Sequence, residues 1–539
     1  MAYEVLKRVG KAPAKNTPQT KKAAPGQKRN DAGGFTFTVD KMERIKRFLI
    51  LGSESSFYRA GESLTLKRVK DIEDVAQSKG AFELIDLIVA VSTEGRAPKQ
   101  DPGVFALALT IASATDDAVK TYAYSKVSEV CRTATTLFMF AGFLRQLQGS
   151  GFGMGARKAF KRWYEDRPVE SLAFQIVKYP EREGWTHKDL ISLARPTKSK
   201  TDEAFSDVMN YVLKGEPTEG AHVPSVITGK ELAKRATGDR EIVSLVTKYG
   251  LSWEMLPSES LNSAKVWEAL LGNIPLGALI RQLPRLTRIG VIRELGGSTQ
   301  AIVDRLTDQE ALRKARIHPM NLLIAAKTYA VGRSLQNFRS SDTWTPNPRI
   351  LSALDKAFYL SFGNVKPTGK RFLNGVDTSG SMSSRIAGQP ALSAAEAAAA
   401  LALVTANVED EVFTVGFDTD VYPTVDIRRG MDLPTALRNS ALRTGRGTDT
   451  AGPIRWARLH KIEVDVFQLM TDNETWAGPA HTHQELAAYR REMGINAKLV
   501  VLATNASRSS VADPKDPLSL DVVGFDASVP QVISTFVAD

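Results

Sequence analysis

The chain has 539 residues, a net charge of +11 and a single cysteine, Cys131. This length is too great for one hydrophobic core, and a lone cysteine excludes an internal disulfide and a cysteine-rich zinc module. The sequence also lacks the ~18 to 20 consecutive apolar residues of a membrane span and, in residues 1–31, the apolar core of a signal peptide. It therefore predicts a soluble, cytoplasmic protein of several domains.

Residues 1–34 form the first predicted domain. They contain 8 Lys and Arg residues against 2 Asp and Glu, with many Pro, Gly, Gln and Asn residues and few apolar ones. Such a segment cannot bury enough surface to offset the entropy of ordering, so it predicts a flexible basic arm. The arm either attracts nucleic acid weakly and in a salt-sensitive manner, or serves only as a solubilising tail.

Residues 35–365 form the second predicted domain, and their apolar residues recur at helical spacing, as at Phe205, Val208 and Val212. Roughly fifteen short helices are indicated, without strand pairs. Paired short helices favour an α-solenoid of the HEAT or armadillo kind, with an irregular helical bundle as the alternative. The excess of basic residues predicts a polyanionic partner, although the solubility of a helical surface would explain it as well.

One helical stretch, residues 157–164, concentrates positive charge. Lys158, Lys161 and Arg162 share one face, while the neighbouring aromatic residues point elsewhere. Three cations on one face repel one another unless an anion lies nearby. The cluster is therefore either an RNA-binding surface or an ordinary solvated face.

A second stretch, residues 184–190, begins a helix with an unusual charge. Thr186 and Asp189 have the spacing of a capping box, which places His187 and Lys188 in the first turn. The helix dipole disfavours cations there, whereas free N–H groups beside a cation suit a phosphate. The alternative is that His187 is a buried histidine with satisfied hydrogen bonds.

Residues 366–539 form the third predicted domain, in which the charge balance reverses to 17 Lys and Arg against 21 Asp and Glu. Five apolar runs alternate with helical stretches, which predicts a doubly wound parallel sheet covered by helices on both faces. The predicted strands are 371–377, 412–417, 464–470, 497–504 and 520–525, and the predicted helices are 391–406, 450–460, 481–493 and 528–537.

Oxygen-bearing side chains follow several of these strands, where ligands gather in open α/β sheets. Together they match the metal-ion-dependent adhesion site of a von Willebrand factor A domain, and they suit Mg²⁺ or Mn²⁺. The predicted ligands are Asp377, Ser379, Ser381, Thr448 and Asp472. No triad, phosphate-binding loop or zinc-protease motif is present, so the metal is expected to bind rather than to catalyse, and the protein is not expected to be an enzyme.

Short motifs at residues 47–54, 128–132, 184–190, 314–319, 367–373 and 525–526 occur in this order from about residue 41 to the end. With these motifs and the two-domain order, the chain resembles the Ro autoantigen family, whose helical part is the TROVE module. The resemblance implies a ring of HEAT-like repeats joined to the A domain. The pair Asn374 and Gly375 departs from the apolar residues usual before the first metal ligand, which casts doubt on local sheet stability.

The resemblance also implies a function. Family members bind small noncoding Y RNAs on the outer surface of the ring and take single-stranded 3′ ends of misfolded RNAs through its hole. Bacterial relatives are linked to an exoribonuclease, polynucleotide phosphorylase, tethered by a Y RNA. The family's RNA-binding histidine corresponds to His187.

The sequence thus predicts a monomeric, non-catalytic RNA-binding protein of a ribonucleoprotein. The alternative is a protein-interaction scaffold that grips a partner's carboxylate through the metal, with RNA incidental. The RNA, the metal and the role of the basic arm are left open by the sequence.

Overall fold

A computed structural model describes residues 17–38, 40–51, 66–94, 97, 100–149, 151–197, 202–218, 222–315, 317, 319–333, 343–365, 367–386, 389–440, 447–503, 509–523 and 529–538. None of the helices in these ranges is both long enough and apolar enough to cross a membrane. The motif at residues 525–526 lies outside them.

Residues 17–38 of the N-terminal segment are structured rather than free. They contain the 3-10 helix Pro18–Thr20 and the antiparallel strands β1, Gln27–Arg29, and β2, Phe35–Thr38. Gln19 is fully buried, and its side chain bonds to residues more than 400 positions away. The prediction of a flexible arm is therefore wrong for residues 17–34, because their amide side chains find partners on the last domain; residues 1–16 lie outside the described ranges.

The central region is helical, as predicted, and the apolar faces of its helices pack into one continuous core. Its described helices are α1 Lys41–Leu51, α2 Leu66–Ala76, α3 Ala81–Thr93, α4 Asp101–Ser113, α5 Asp117–Ser125, α6 Val127–Val130, α7 Ala134–Gln148, α8 Met154–Glu165, α9 Val169–Lys178, α10 His187–Ala194, α11 Glu203–Lys214, α12 Ser225–Arg235, α13 Asp239–Tyr249, α14 Ala264–Leu270, α15 Leu276–Arg288, α16 Gly297–Leu306, α17 Gln309–Lys314, α18 Pro319–Ala330 and α19 Pro348–Leu360.

The expectation that residues 35–365 contain no strand pair is wrong at their start, where β2 pairs with β1, and again among the helices. Strands β3, Glu181–Arg182, and β4, Trp185–Thr186, form a small antiparallel hairpin between α9 and α10. Each strand has only two residues, which is too short to show the alternation by which strands are recognised in a sequence.

The last domain, here called the A-like domain (residues 366–539), contains the predicted parallel sheet. Its strands are β5 Arg371–Asp377, β6 Arg385–Ile386, β7 Gln389–Ser393, β8 Glu411–Phe417, β9 Val421–Tyr422, β10 Val466–Thr471, β11 Lys498–Ala503, β12 Ser509–Ser510 and β13 Ser519–Val523. The main sheet has the order β13-β11-β10-β5-β8-β9, in which only β9 is antiparallel to its neighbour. All five predicted strands are present.

Helices cover both faces of this sheet, as predicted for a doubly wound domain. They are α20 Ala394–Val408, α21 Leu433–Asn439, α22 Gly452–Leu459, α23 Thr482–Met493 and α24 Val529–Ala538. Helices α20 and α24 share the core of the helical region, whereas α22 and α23 pack on the opposite face in a separate cluster. Helix α21 was not predicted.

Both ends of the helical region contact the A-like domain, and this closes the solenoid into a ring. At one end the buried guanidinium of Arg47 in α1 pairs with Asp521 in β13. At the other end Nζ of Lys327 in α18 lies 2.7 Å from Oε1 of Glu396 in α20. Strand β12 also pairs with β2 of the N-terminal segment.

Candidate metal and RNA-binding sites

The candidate metal site lies at the carboxyl edge of the sheet, where neighbouring parallel strands deliver their last residues. Strand β5 ends at Asp377, and β10 ends at Thr471, next to Asp472. The Thr471 hydroxyl donates a hydrogen bond to Oδ2 of Asp377 over 2.7 Å, which joins the two strand ends. The apolar strands thus hold two carboxylates at one buried place.

The two serines are positioned by the turn that follows β5. The N–H group of Ser379 donates to Oδ1 of Asp377 over 2.9 Å, so the chain folds back over the carboxylate. A 3-10 turn over Gly380–Ser383 then brings Oγ of Ser381 to 3.1 Å from Oγ of Ser379. The structure therefore gathers Asp377, Ser379 and Ser381 as the sequence predicted.

Asp472 carries the observation that best tests whether a cation fits. Its Oδ1 accepts the N–H of Glu474 over 3.0 Å, but its buried Oδ2 has no hydrogen-bond partner among the described residues. Burial and the nearby charge of Asp377 raise the pKa of Asp472 well above its usual range, and burial also raises the pKa of Asp377. A buried carboxylate oxygen without a partner is costly unless a proton or a cation neutralises it.

Thr448 approaches from a neighbouring loop and is also buried. Its carbonyl accepts the N–H of Trp476 over 3.1 Å, and the N–H of the next residue, Asp449, donates to the carbonyl of Asp418 over 2.7 Å. These bonds tie the Thr448 turn to the loops after β10 and β8. All five predicted ligands thus lie on connected loops at one edge of the sheet, and their oxygens suit a hard divalent cation.

Two further acidic residues of this edge were not predicted. Asp418 directly follows β8 and is fully buried; its Oδ1 accepts from Tyr422, whereas its Oδ2 has no partner within the described ranges. Burial raises the pKa of Glu474 to about 8. The signal for Asp418 was its place just after a predicted strand. The described residues contain no arrangement of three or more His, Cys, Asp or Glu side chains that could hold a metal. The predicted set combines two carboxylates with three hydroxyls.

The unusual pair before Asp377 is accommodated by its surroundings. Buried Asn374 donates to the carbonyl of Ala402 over 3.3 Å and accepts from Nε2 of Gln468 over 3.1 Å. A Cβ atom at Gly375 would lie 2.7 Å from a methyl carbon of Leu469. Because the polar side chain is bonded and the glycine makes room for close packing, the sheet is not weakened at this point in the way the sequence indicated.

The candidate RNA surface includes one face of α8. Phe160, Trp163 and Tyr164 are buried, while Lys158 and Arg162 are exposed on the other side and pair with no described residue. Lys161 is half-buried, with Nζ 3.6 Å from Glu165 and 3.2 Å from the hydroxyl of Thr197. The face therefore offers two free cations and one that is partly neutralised. Which of them contact RNA stays a prediction.

Helix α10 begins with the predicted capping box. The Asp189 N–H donates to Oγ1 of Thr186 over 3.3 Å, and the Thr186 N–H donates to Oδ2 of Asp189 over 2.9 Å. Lys188 in the first turn is exposed, as a phosphate contact requires.

His187 is not placed where a direct RNA contact would require it. Its side chain is buried, with Nδ1 2.9 Å from the Tyr164 hydroxyl and Nε2 3.1 Å from the carbonyl of Tyr179. Burial lowers the pKa of His187 to about 3, so the ring is neutral. The expectation of a surface cation at this position is corrected: the capping box turns Lys188 outward and His187 into the core.

The same combination of domains is found in known proteins. The TROVE domain matches residues 28–240 and 245–337, and the Ro60 vWA domain matches residues 371–537. The chain is 37% identical over 526 residues to the RNA-binding protein RO60 of Deinococcus radiodurans, covering 97% of each protein. The chain belongs to the Ro60 family.

Other members of the family agree with this placement. The RNA-binding protein RO60 of Caenorhabditis elegans is 35% identical over an alignment of 596 residues that covers 96% of this chain and 91% of that protein. The crystal structure of the Deinococcus radiodurans RO (RSR) protein superposes with a TM-score of 0.74, covering 93% of this chain and 99% of the other. The resemblance predicted from the motifs is confirmed.

Proposed function

We propose that this member of the Ro60 family is the RNA-binding protein of a ribonucleoprotein and acts in RNA quality control or decay. The observation that carries the proposal is the near full-length identity to two relatives that are named as RNA-binding proteins. In this proposal a small noncoding Y-like RNA binds the outer surface of the ring. Single-stranded 3′ ends of misfolded RNA enter the hole.

The proposed RNA surface uses cations that have no acidic partner. Lys158 and Arg162 on α8 and Lys188 at the start of α10 would contact phosphates, with Lys161 as a weaker contributor. Such contacts release counterions and give binding that falls steeply with salt. His187 would contribute to RNA binding indirectly, because its buried ring holds the start of α10, with Lys188, against α8.

The proposed cofactor is Mg²⁺ or Mn²⁺, held by Asp377, Ser379, Ser381, Thr448 and Asp472. When bound, the cation would neutralise the buried carboxylates and offer an open coordination position to an acidic partner. We propose a binding role and not a catalytic one. The further parts of the proposal are a monomeric protein in the cytoplasm and an RNA-tethered exoribonuclease, polynucleotide phosphorylase, as a partner.

A charge-reversal experiment tests the RNA surface. The affinity for a structured small RNA with a single-stranded 3′ tail is measured across a salt series for the wild type and for Lys158→Glu/Lys161→Glu/Arg162→Glu. The matched control, Arg428→Glu/Arg491→Glu/Lys515→Glu, makes the same charge change at exposed positions of the A-like domain. A large loss of affinity and a shallower salt dependence in the first variant alone support the proposal.

The alternative function is a protein-interaction scaffold. The unpartnered Oδ2 of Asp472 suits a cation, which in this alternative would take a partner's carboxylate as a further ligand. In that case the charge-reversed variant would bind RNA as weakly as the wild type does. Asp377→Asn would instead abolish capture of an acidic protein partner.

A further inference from the structure

The N-terminal strap, defined as residues 17–38, lies against the two loops that carry Thr448 and Asp472. We propose that this strap is a built-in part of the candidate metal site, and that its Gln19 and Asn30 are positioning residues on which the cation affinity of the site depends. The inference rests on the proposed metal site and extends it to a segment at the other end of the chain.

Gln19 links the two loops through one side chain. Its Nε2 donates to Oδ1 of Asp449 over 2.7 Å and to the carbonyl of Ala480 over 2.8 Å, and its Oε1 accepts from the hydroxyl of Thr475. Asp449 follows the predicted ligand Thr448, and Thr475 lies three residues after the predicted ligand Asp472. The amide group is fully buried, so water cannot replace these bonds without rearrangement.

The strap also holds the acidic residue that follows Asp472. The N–H group of Ala32 donates to Oε2 of Glu474 over 3.0 Å. The N–H group of Glu474 itself donates to Oδ1 of Asp472, so the strap is connected to this predicted ligand through a single intervening residue, Glu474. A displaced strap would leave the buried Glu474 carboxylate without this donor, and the backbone around Asp472 would have to adjust.

The middle of the strap fits the loop closely. Nδ2 of Asn30 donates to the carbonyl of Thr475 over 2.8 Å, and its Oδ1 accepts the N–H of Gly34 over the same distance. A Cβ atom at Gly34 would lie 1.8 Å from that carbonyl oxygen, so only glycine allows this approach. The contact is thus specific in shape as well as in hydrogen bonding.

The far end of the loop is anchored at His481, the N-cap of α23. Its Nε2 lies 3.0 Å from the carbonyl of Lys21, and its Nδ1 lies 3.3 Å from Nε2 of Gln27. The strap therefore spans the loop from Glu474 to His481. Ordering a loop costs conformational entropy for each residue, and a site whose loops are already ordered does not incur that cost when the cation binds.

The test measures Mn²⁺ binding to the full chain by isothermal titration calorimetry. Gln19→Met keeps the size of the side chain and removes its hydrogen bonds, and Asn30→Ser is measured beside it in case the first variant does not fold. Lys28→Ala, on an exposed position of the same strap, is the matched control, and Asp377→Asn reports on the metal site itself. We expect the affinity to fall about tenfold or more in the first two variants, from the entropy of ordering the freed loop, and to be unchanged in the control.

A purely structural role would give a different pattern. Thermal unfolding in chelator and in Mn²⁺ would then shift by the same amount in a strap variant, whereas a positioning role reduces the increment that Mn²⁺ adds. Wild-type affinity in a folded Gln19→Met or Asn30→Ser variant would overturn the inference. If wild type and Asp377→Asn bind Mn²⁺ alike, the proposed metal site itself fails, which is a separate result.

Discussion

The Tyr164 hydroxyl donates a hydrogen bond to Nδ1 of His187 over 2.9 Å and so joins α8 to α10. The other ring nitrogen, Nε2, donates to the carbonyl of Tyr179 over 3.1 Å. Both nitrogens are therefore used by the neutral ring. A second proton on Nδ1 would place a positive charge in this buried site and would require the Tyr164 hydroxyl to rotate so that it accepts a hydrogen bond.

This arrangement predicts how the stability of the helical region depends on pH. The pKa of His187 is lowered in the folded protein from 6.5 to about 3, so between these values the unfolded chain binds more protons. The contribution of His187 to stability is complete above pH 6.5 and falls as the pH decreases, by up to about 1.4 kcal/mol per pH unit. Urea unfolding followed by tryptophan fluorescence at pH 7, 6 and 5 measures the slope.

The control for this prediction is a second histidine. His187→Asn should be less stable at pH 7, and its free energy of unfolding should change less with pH, by up to the contribution of one bound proton. His222→Asn, at an exposed position, should keep the wild-type dependence on pH. Equal slopes in all three proteins would show that His187 is not the titrating group.

Single substitutions on α8 should weaken RNA binding most where the cation has no acidic partner. Lys158→Ala or Arg162→Ala should weaken RNA binding and reduce the slope of log K against log salt by about 1, as expected for one lost phosphate contact. Lys161→Ala should change the slope less, because its ammonium is already shared with Glu165. Filter binding over a salt series measures these slopes. A larger change for Lys161→Ala than for Lys158→Ala and Arg162→Ala would place the RNA elsewhere.

Gly375→Ala should destabilise the A-like domain by about 1 to 3 kcal/mol through overpacking. The added methyl group would lie 2.7 Å from Leu469 and 3.1 Å from Pro453. Gly103→Ala in α4, where nothing lies within 4 Å of the added atom, should be neutral or slightly stabilising. Denaturant unfolding measures the free energy of unfolding of both variants. An unchanged value for Gly375→Ala would mean that β5 and its surroundings adjust easily to the added methyl group.

Asp418→Asn should weaken divalent-cation binding while the protein stays folded. The hydrogen bonds to Oδ1 can persist in the amide, and only the negative charge at the unpartnered Oδ2 is lost. For the wild type, a cation at about 100 times its dissociation constant should add roughly 2.7 kcal/mol of stability. Thermal unfolding with and without Mn²⁺ should show a smaller increment for the variant, and an unchanged increment would exclude Asp418 from the site.

The sequence was sufficient for features whose signal is local. Long apolar runs ending next to Asp377 and Asp472 identified both strands, since a strand buried on both faces is apolar throughout, and they placed the two predicted ligands at one edge of the sheet. The capping box of Thr186 and Asp189 could also be predicted from the sequence, because its two partners are three residues apart.

Features that depend on distant partners were missed or misjudged. Residues 17–34 look like a disordered tail, since their amides are satisfied by groups more than 400 positions later. His187 has the same sequence context whether it faces solvent or the core, and only the packing of α8 against α10 decides between them. Asp418 carried too weak a local signal to be separated from other acidic residues after strands.

The strap has a consequence for how the protein is made. Gln19 leaves the ribosome long before its partners Asp449, Thr475 and Ala480, the nearest of which lies 430 positions later in the chain. The strap must therefore wait, without its native partners, while the ring is synthesised. Folding of the A-like domain is the event that secures it, so a product interrupted before that domain would display an unsecured strap that a protease could recognise.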